Sequence, residues 1–444
     1  MSDIKTYSDY RASSPASRRF AAMLGLGLVP LCLAAPARGS GFAVEDQNAL
    51  TLGTAQAGQA AIAADATTVH HNPAGMIRLP DTQGVLSGVY IAPSAKFENE
   101  GSSLGGAPLA GGNGGDAGTE SFIPTFYLST SPLDGLKLGL AVTVPFGLGS
   151  DYDPDWIGRY HTIESDLKTI NVNPALAVRL SETLSLGGGV NFQYLDAELT
   201  NAVDFGSLLG FPQAVDGRAE LTGDNWAVGY NLGLLYQPSD RLRVGLAYRS
   251  RVHHDVEVDA DFDVPAAASP LQAAGLFNDT GGRTEVTLPE SVSLSAYYDV
   301  TPRWALLADV TWTRWSRFEQ LAVQFDNPLQ PAIVEPQEWN DSFRVSAGAR
   351  FAPTEDWVFR AGIAYDETPI PDEFQRPRLV VGDRVLVAVG AGYRVSDRIT
   401  VDAGYMHSFS EDVSVDITNP NAGRLVGDYD LDADLFALQV SVKF

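Results

Sequence analysis

Residues 436–444 read Phe436-Ala437-Leu438-Gln439-Val440-Ser441-Val442-Lys443-Phe444. On an extended chain, successive side chains point to opposite faces. Phe436, Leu438, Val440, Val442 and Phe444 therefore share one face, and Ala437, Gln439, Ser441 and Lys443 the other. The same split recurs upstream. Trp226, Val228, Tyr230, Leu232, Leu234 and Tyr236 oppose Ala227, Gly229, Asn231 and Gly233. Phe343, Val345, Ala347, Ala349 and Phe351 oppose Arg344, Ser346 and Arg350. Trp357, Phe359, Ala361, Ile363 and Tyr365 oppose Arg360, Gly362 and Asp366. One face is greasy and the other polar, a pattern that fits a soluble sandwich as well as a membrane barrel.

Three features separate the two. First, the pattern predicts about fourteen strands, starting near 82, 121, 136, 167, 183, 220, 240, 284, 303, 338, 357, 380, 397 and 427. Many exceed ten residues, longer than the roughly five or six of globular sheets and right for tilted spanning strands of about 9–11. Second, connection lengths alternate. Short polar turns at 131–135, 181–183, 237–241, 300–303, 352–356 and 396–398 interleave with long loops near 93–120, 147–166, 200–219, 255–283, 320–337, 366–379 and 413–427. Short turns on one rim and long loops on the other is the layout of an outer-membrane barrel. Third, Tyr236, Tyr248, Tyr298, Trp304, Trp312, Trp315, Trp357, Tyr365 and Tyr393 stand at strand ends, as interfacial girdles do. The fold expected is all-β and membrane-embedded: an antiparallel transmembrane barrel of about fourteen strands over residues 81–444.

The bulk composition agrees. The chain has 444 residues, 45% of them apolar, with mean hydropathy close to zero. No stretch after residue 40 approaches the roughly 18 apolar residues of a spanning helix. Arg11, Arg18 and Arg19 precede an apolar run from Phe20 to Ala35, followed by the small residues Ala37, Gly39 and Ser40. This is the pattern of a secretory signal peptide, placed at 1–39. Cys32, the single cysteine, lies in its apolar core, so disulfide and thiol chemistry are not expected of the mature chain. Net charge is −25. Residues 1–39 carry five basic and two acidic side chains, leaving −28 on the remainder. That acidity excludes nucleic acid as a partner and suits water-facing loops.

Residues 40–80 break the strand pattern. They are rich in Ala and Gly and weakly helical. A barrel of about fourteen strands encloses a lumen that side chains alone do not fill. The segment is therefore expected inside it, as a small N-terminal hatch.

Here the sequence becomes recognisable. Gly41-Phe42-Ala43-Val44, Gly53-Thr54-Ala55-Gln56-Ala57-Gly58-Gln59-Ala60-Ala61, Ala64-Asp65-Ala66 and Asn72-Pro73-Ala74-Gly75-Met76 resemble the N-terminus of the FadL family. Val144-Pro145-Phe146-Gly147-Leu148, Trp156-Ile157-Gly158-Arg159-Tyr160, Asn171-Val172-Asn173-Pro174-Ala175, Gly245-Leu246-Ala247-Tyr248-Arg249-Ser250, Leu288-Pro289-Glu290, Thr311-Trp312-Thr313-Arg314-Trp315-Ser316 and Arg360-Ala361-Gly362-Ile363-Ala364-Tyr365-Asp366 continue the likeness in order, with Ile370-Pro371-Asp372 behind them. The resemblance implies a fourteen-stranded outer-membrane barrel with a hatch, transporting long-chain fatty acids or aromatic hydrocarbons. It implies capture between loops, an internal site near the hatch, and sideways release through a wall gap at a kinked third strand.

The residues expected to serve each step follow. Phe205, Leu208, Leu209 and Phe211 in one loop, and Leu271, Leu276 and Phe277 in another, form apolar clusters suited to capture; alternatively the two loops pack on each other. Pro145-Phe146-Gly147 ends the third strand. Proline removes a ladder donor and glycine suits a bulge, so this is the expected gap or simply a strand end. The resemblance sets Asn72-Pro73-Ala74 beside that kink; Phe42, near the expected mature N-terminus, is a candidate plug residue reaching the inner site. Arg159, Arg249, Arg314 and Arg360 are candidates to meet a carboxylate, or to pair with lumen acids. His70-His71 and His253-His254 lack further ligands at metal spacing, and no catalytic motif surrounds the six histidines, so no cofactor, metal or catalytic residue is expected. Phe444 resembles the terminal signal of barrel assembly. The expected partners are outer-membrane lipid and lipopolysaccharide, a hydrophobic small molecule and the barrel-assembly machinery, with the protein a monomer. The competing readings are a general porin, which lacks such an N-terminal segment, and an outer-membrane lipid-modifying enzyme.

Overall fold

The computed structural model describes residues 41–444. The expected signal peptide and Cys32 lie outside the described residues. Among the described residues twenty-two strand segments join into one sheet. Ser103–Leu104 with Ala107–Pro108 form a small hairpin in the loop after the first strand, and the other twenty segments make fourteen strands. They are β1 (Gln83–Asn99), β2 (Ser121–Leu133), β3 (Leu136–Thr143, resuming at Gly147–Asp151), β4 (Glu164–Arg179), β5 (Leu184–Asp204) and β6 (Asp216–Ser239). Then come β7 (Leu242–Arg249 and Val252–Asp263), β8 (Thr280–Leu288 and Ser291–Asp299), β9 (Trp304–Thr313 and Gln320–Phe325) and β10 (Ile333–Pro336 and Ser342–Phe351). The last are β11 (Trp357–Asp366), β12 (Arg384–Arg394), β13 (Ile399–Ser410 and Val413–Asn419) and β14 (Gly423–Lys443). Each pairs antiparallel with its neighbours. β1 closes the sheet on β14, from Gln83 opposite Lys443 to Asn99 opposite Gly427. A closed ladder leaves no edge, which is what lets strands sit in hydrocarbon.

The side chains follow the alternation. Phe436, Leu438, Val440 and Phe444 are exposed on the outer wall, while Gln439 is buried inside. Trp304 stacks on Phe351 and Trp357 packs on Tyr393 near the short-turn rim, as a girdle does.

Several expected long loops are shorter than the sequence reading sets them, because strands continue past the apolar band. Residues 255–263 and 320–325 are strand, and 413–427 is a hairpin turning at 420–422. In upper β7 the period-two pattern persists but its polarity inverts. Val252, Val256, Val258 and Ala260 are buried inside; His253, Asp255, Glu257, Asp259 and Asp261 are exposed outside. A sheet surrounded by water carries charge outward, and a loop reading of that stretch mistook acidity for irregularity.

Residues 41–80 pack against strands around the whole circumference. Two short helices, Ala49–Leu52 and Thr68–His71, and a 3₁₀ stretch at Pro73–Arg78 carry most of the segment. Small residues let its backbone touch the wall, and wall glycines receive it. A Cβ at Gly245 would collide with the Ala60 carbonyl, and one at Gly362 with the Thr54 carbonyl. Polar ties complete the docking. Gln439 donates to Asp65 at 2.7 Å, the Ala60 amide donates to Ser295 at 2.9 Å, and Arg344 pairs with Glu45 at 3.0 Å.

His70 and His71 are docked as neutral rings. Asn48 Nδ2 lies 2.8 Å from His71 Nε2, and Arg249 Nη2 lies 3.1 Å from His70 Nδ1, so both ring nitrogens accept. Burial, reinforced by the Arg249 cation, pushes His71 down to about 3 and His70 well below the usual imidazole value. A released segment would protonate near pH 6.5. Their contribution to docking is therefore complete above that pH and is lost progressively as pH falls towards 3. Amide exchange of residues 68–76 should accelerate between pH 7 and pH 4.5; unchanged protection would contradict this. Gly245→Val should displace the segment while leaving the barrel closed, detected as increased chemical modification of His70 and His71 with retained heat-modifiable gel mobility.

Candidate functional site

The wall is interrupted where the third strand was expected to kink. β3 pairs with β2 only as far as Val142 opposite Phe126. β2 residues Ser121–Thr125 pair with β1. On the other side, Thr143 faces Asn171 and Gly147 faces Lys168. Val144, Pro145 and Phe146 thus stand opposite only Thr169 and Ile170, a one-residue bulge. Pro145 has no N–H to contribute to a ladder.

The groups released by this bulge turn inward and meet the N-terminal segment. Val44 N donates to Pro145 O at 2.9 Å, and Gly147 N to Phe42 O at 3.0 Å. Gln47 spans both backbone groups of Val144, donating to its carbonyl at 2.7 Å and accepting from its amide at 3.1 Å. Phe146 N donates to Thr169 Oγ1 at 3.0 Å. Phe42, Pro145, Phe146 and Gly147 therefore form one unit.

Asn72-Pro73-Ala74 is only partly in that unit. It does not sit beside the break. Asn72 Nδ2 donates to Leu234 O on β6 at 3.0 Å, and Ser185 on β5 donates to Ala74 O at 3.0 Å. The motif is a small, tightly turned element that needs wall glycines, and Gly187 and Gly233 supply them. Pro73 alone reaches the space that Pro145 also lines.

Phe42 stands in an aromatic cage. Its ring lies 4.9 Å from Trp315 and 5.9 Å from both Phe146 and Trp339, centroid to centroid, and Phe318 is 6.0 Å away. Such offset and edge contacts add to area burial. Trp315 is thus no girdle residue; it is fully buried in the lumen. Its place just beyond the lower half of β9, where alternation stops, was the available signal. Trp339 had none, because it reaches the cage by register across β9 and β10.

The cage divides the lumen. Above it, Leu195, Leu221, Val256, Val258, Leu288 and Phe325 form an apolar lining continuous with Phe42. Below it, the wall is polar and filled by the N-terminal segment. Beside the cage lies a chamber of about 70 Å³. Ala43, Val44, Pro145 and Phe146 give it apolar walls, and His70, His71, Gln59, Asn231 and Arg249 polar ones.

The loop residues sort into two groups. Phe205 is fully buried, with its ring 4.9 Å from Phe277, which in turn packs on Phe262. The Phe205–Phe277 contact binds the two loops to each other, and Leu271 and Leu276 are half-buried in the second. Leu208, Leu209 and Phe211 remain exposed, Phe211 at 71%. Of the candidate arginines, Arg159 pairs with Asp216, Arg314 with Glu290 and Arg360 with Asp402. The tertiary structure sets Asp255 and Glu285 beside His253 on the outer surface, a grouping the linear spacing hides. His407 bonds Asp434 at 2.8 Å.

Comparison with known proteins agrees with this architecture. The family model for outer membrane protein transport proteins (OMPP1/FadL/TodX) matches residues 30–444. A long-chain fatty acid transport protein of Escherichia coli O6:H1 is 30% identical over 83% of this chain and 87% of its own length. Outer membrane protein P1 of Haemophilus influenzae is 30% identical over 86% and 88%. Among solved structures, a Pseudomonas aeruginosa FadL homologue superposes with a TM-score of 0.85 at 24% identity, over 91% of this chain and all of the other. The Pseudomonas putida toluene transporter TodX gives 0.64 at 17% identity, over 91% of this chain and all of the other; both likenesses speak to fold alone. A closed fourteen-stranded barrel, a family match over nearly its whole length and relatives at this level of identity place the chain in the OMPP1/FadL/TodX family of outer-membrane transporters of hydrophobic substrates.

Proposed function

We propose that this protein moves a hydrophobic small molecule inward by loop capture, descent along the apolar upper lumen and lateral release through the β3 interruption. The observation that carries the reading is the bulge at Val144–Phe146, whose orphaned backbone groups are held by Phe42, Val44 and Gln47. An unpaired peptide group facing hydrocarbon is costly. A wall break bonded to a movable N-terminal segment is the arrangement expected of a gate: the segment withdraws, the bulge loses its partners, and an opening forms between β2 and β3. Relatives named as long-chain fatty acid transport proteins and solved structures named as toluene transporters support the substrate class.

Each stage has an apolar contact in the fold. Exposed Leu208, Leu209 and Phe211 offer the first surface. The upper lumen and the cage around Phe42 offer the second. Burial supplies about 25 cal/mol per Å², so a greasy molecule gains at every step.

The direct test is to regularise β3. Deleting Pro145 together with Gly147→Thr leaves two residues opposite Thr169 and Ile170. Uptake should fall to background while heat-modifiable mobility shows a folded barrel; undiminished uptake by the regularised protein would refute lateral release. For capture, Phe211→Ser removes an exposed contact worth up to half of the roughly 1.5–3 kcal/mol of a fully buried Phe. Uptake at low substrate concentration should drop about three- to tenfold, with saturating uptake nearly unchanged. Phe205→Ala should instead loosen the two loops against each other, read as faster proteolysis near 205–216.

A further inference from the structure

Upper β7 turns a row of acids outward, and at one place a histidine joins them. His253 and Asp255 stand two residues apart, exposed on the same outer face. Across the ladder on β8, Thr287 is opposite His253 and Glu285 is opposite Asp255. The four make one rectangle of the sheet, with opposed Cβ atoms roughly 4.5–5.5 Å apart. His253 Nε2 lies 3.3 Å from Asp255 Oδ1 and 4.0 Å from Glu285 Oε2. His254, the next residue, takes no part; it is buried and bonds Gln193 at 3.1 Å.

Acids on a water-facing sheet are ordinary by themselves. Two further observations make this group a ligand set. First, the second ring nitrogen is tied, with His253 Nδ1 2.8 Å from Thr287 Oγ1. With Nδ1–H donated to that hydroxyl, Nε2 turns a lone pair towards the two carboxylates. Metal-bound histidines are held in this way, by a partner on the other nitrogen that fixes the ring and its tautomer. Second, the spacing suits a shared ion. The three ligand atoms lie within 4.8 Å of one another. Zinc sits about 2.0–2.2 Å from each ligand, which sets ligand atoms roughly 3–3.5 Å apart. His253 and Asp255 already stand so, and rotation of the exposed Glu285 side chain closes the rest. Asp255 and Glu285 also repel each other across the ladder. Among the described residues no lysine or arginine forms an ion pair with either.

We propose that His253 Nε2, Asp255 and Glu285 bind a divalent first-row metal ion, zinc among them, on the outer face of the barrel. An imidazole with two carboxylates suits such ions better than magnesium or calcium, which take oxygen ligands. Three protein ligands leave a coordination position open. It faces outward, since the Asp255 and Glu285 side chains are each 77% exposed. Asp255 shares an outer groove with Trp226, the uppermost residue of the greasy outer stripe of β6. The ion therefore sits at the upper rim of the apolar wall. It links upper β7 to upper β8 just above the interruptions at 250–251 and 289–290, and it neutralises carboxylates that the register forces together.

The test uses the purified full-length barrel in detergent, free of any polyhistidine tag and stripped with a chelator. Zinc is titrated by calorimetry, and cobalt serves as a spectroscopic probe of the ligands. One zinc should bind per chain, and magnesium at the same concentration should not displace it. Thr287→Val, which removes only the support of the ring, should weaken zinc binding about 10–100-fold, and His253→Gln by at least about 100-fold. The visible cobalt band should disappear in His253→Gln. Glu257→Gln removes an outward acid of the same strand that lies outside the set, and should change nothing. Heat-modifiable mobility checks that each variant is folded. Zinc binding undiminished in His253→Gln would overturn the proposal. So would an equal loss in Glu257→Gln, which would reduce the binding to diffuse attraction by the acidic face, and so would the lack of any saturable zinc binding.

Discussion

Inside a bilayer every backbone N–H and C=O needs a partner from the protein itself. The rest of this structure is arranged around that demand. Fourteen strands meet it by closing on themselves, with β1 and β14 in register over their shared length. The one-residue bulge in β3 departs from it, and the departure is met from inside by Phe42, Val44 and Gln47. The wall and the N-terminal segment are therefore not independent parts. The segment completes a hydrogen-bond inventory that the wall leaves open.

A second constraint sorts the lumen by height. At the level of the membrane the outer face must be apolar, so the inner face takes the polar residues and docks the segment through glycines and hydrogen bonds. Above the membrane the outer face meets water and carries the acidic residues, so the inner face is free to be apolar. The polarity inversion in β7, around the interruption at residues 250–251, marks the boundary. Phe42, Trp315, Trp339 and Arg249 all lie near it.

The candidate site was legible in part. Pro145 and Gly147 announced an interruption because proline cannot donate and glycine suits a bulge. That the interruption is bonded to Phe42 and Val44, residues about a hundred positions earlier, has no local signal. Asn72-Pro73-Ala74 was set beside the kink by family resemblance, yet its bonds go to β5 and β6, where Gly187 and Gly233 admit it. Trp315 was read as an interfacial girdle residue because it stands near a strand end; the turn beyond β9 swings it inward. The four arginines were indistinguishable in sequence, and only the placement of Asp216, Glu290 and Asp402 left Arg249 without an acid.

The sequence by itself determined the strands at membrane level, their faces there and the alternation of short and long connections. Period-two patterning and the demand for an apolar outer wall act residue by residue along the chain, and the last strand through Phe444 displays both. Tertiary structure decided which residues of the N-terminal segment partner the defect, which aromatics face inward, and which charge stays unmatched. Those depend on register around a closed sheet and on a segment folded back into its lumen, and contacts between residues hundreds of positions apart leave no periodicity to read.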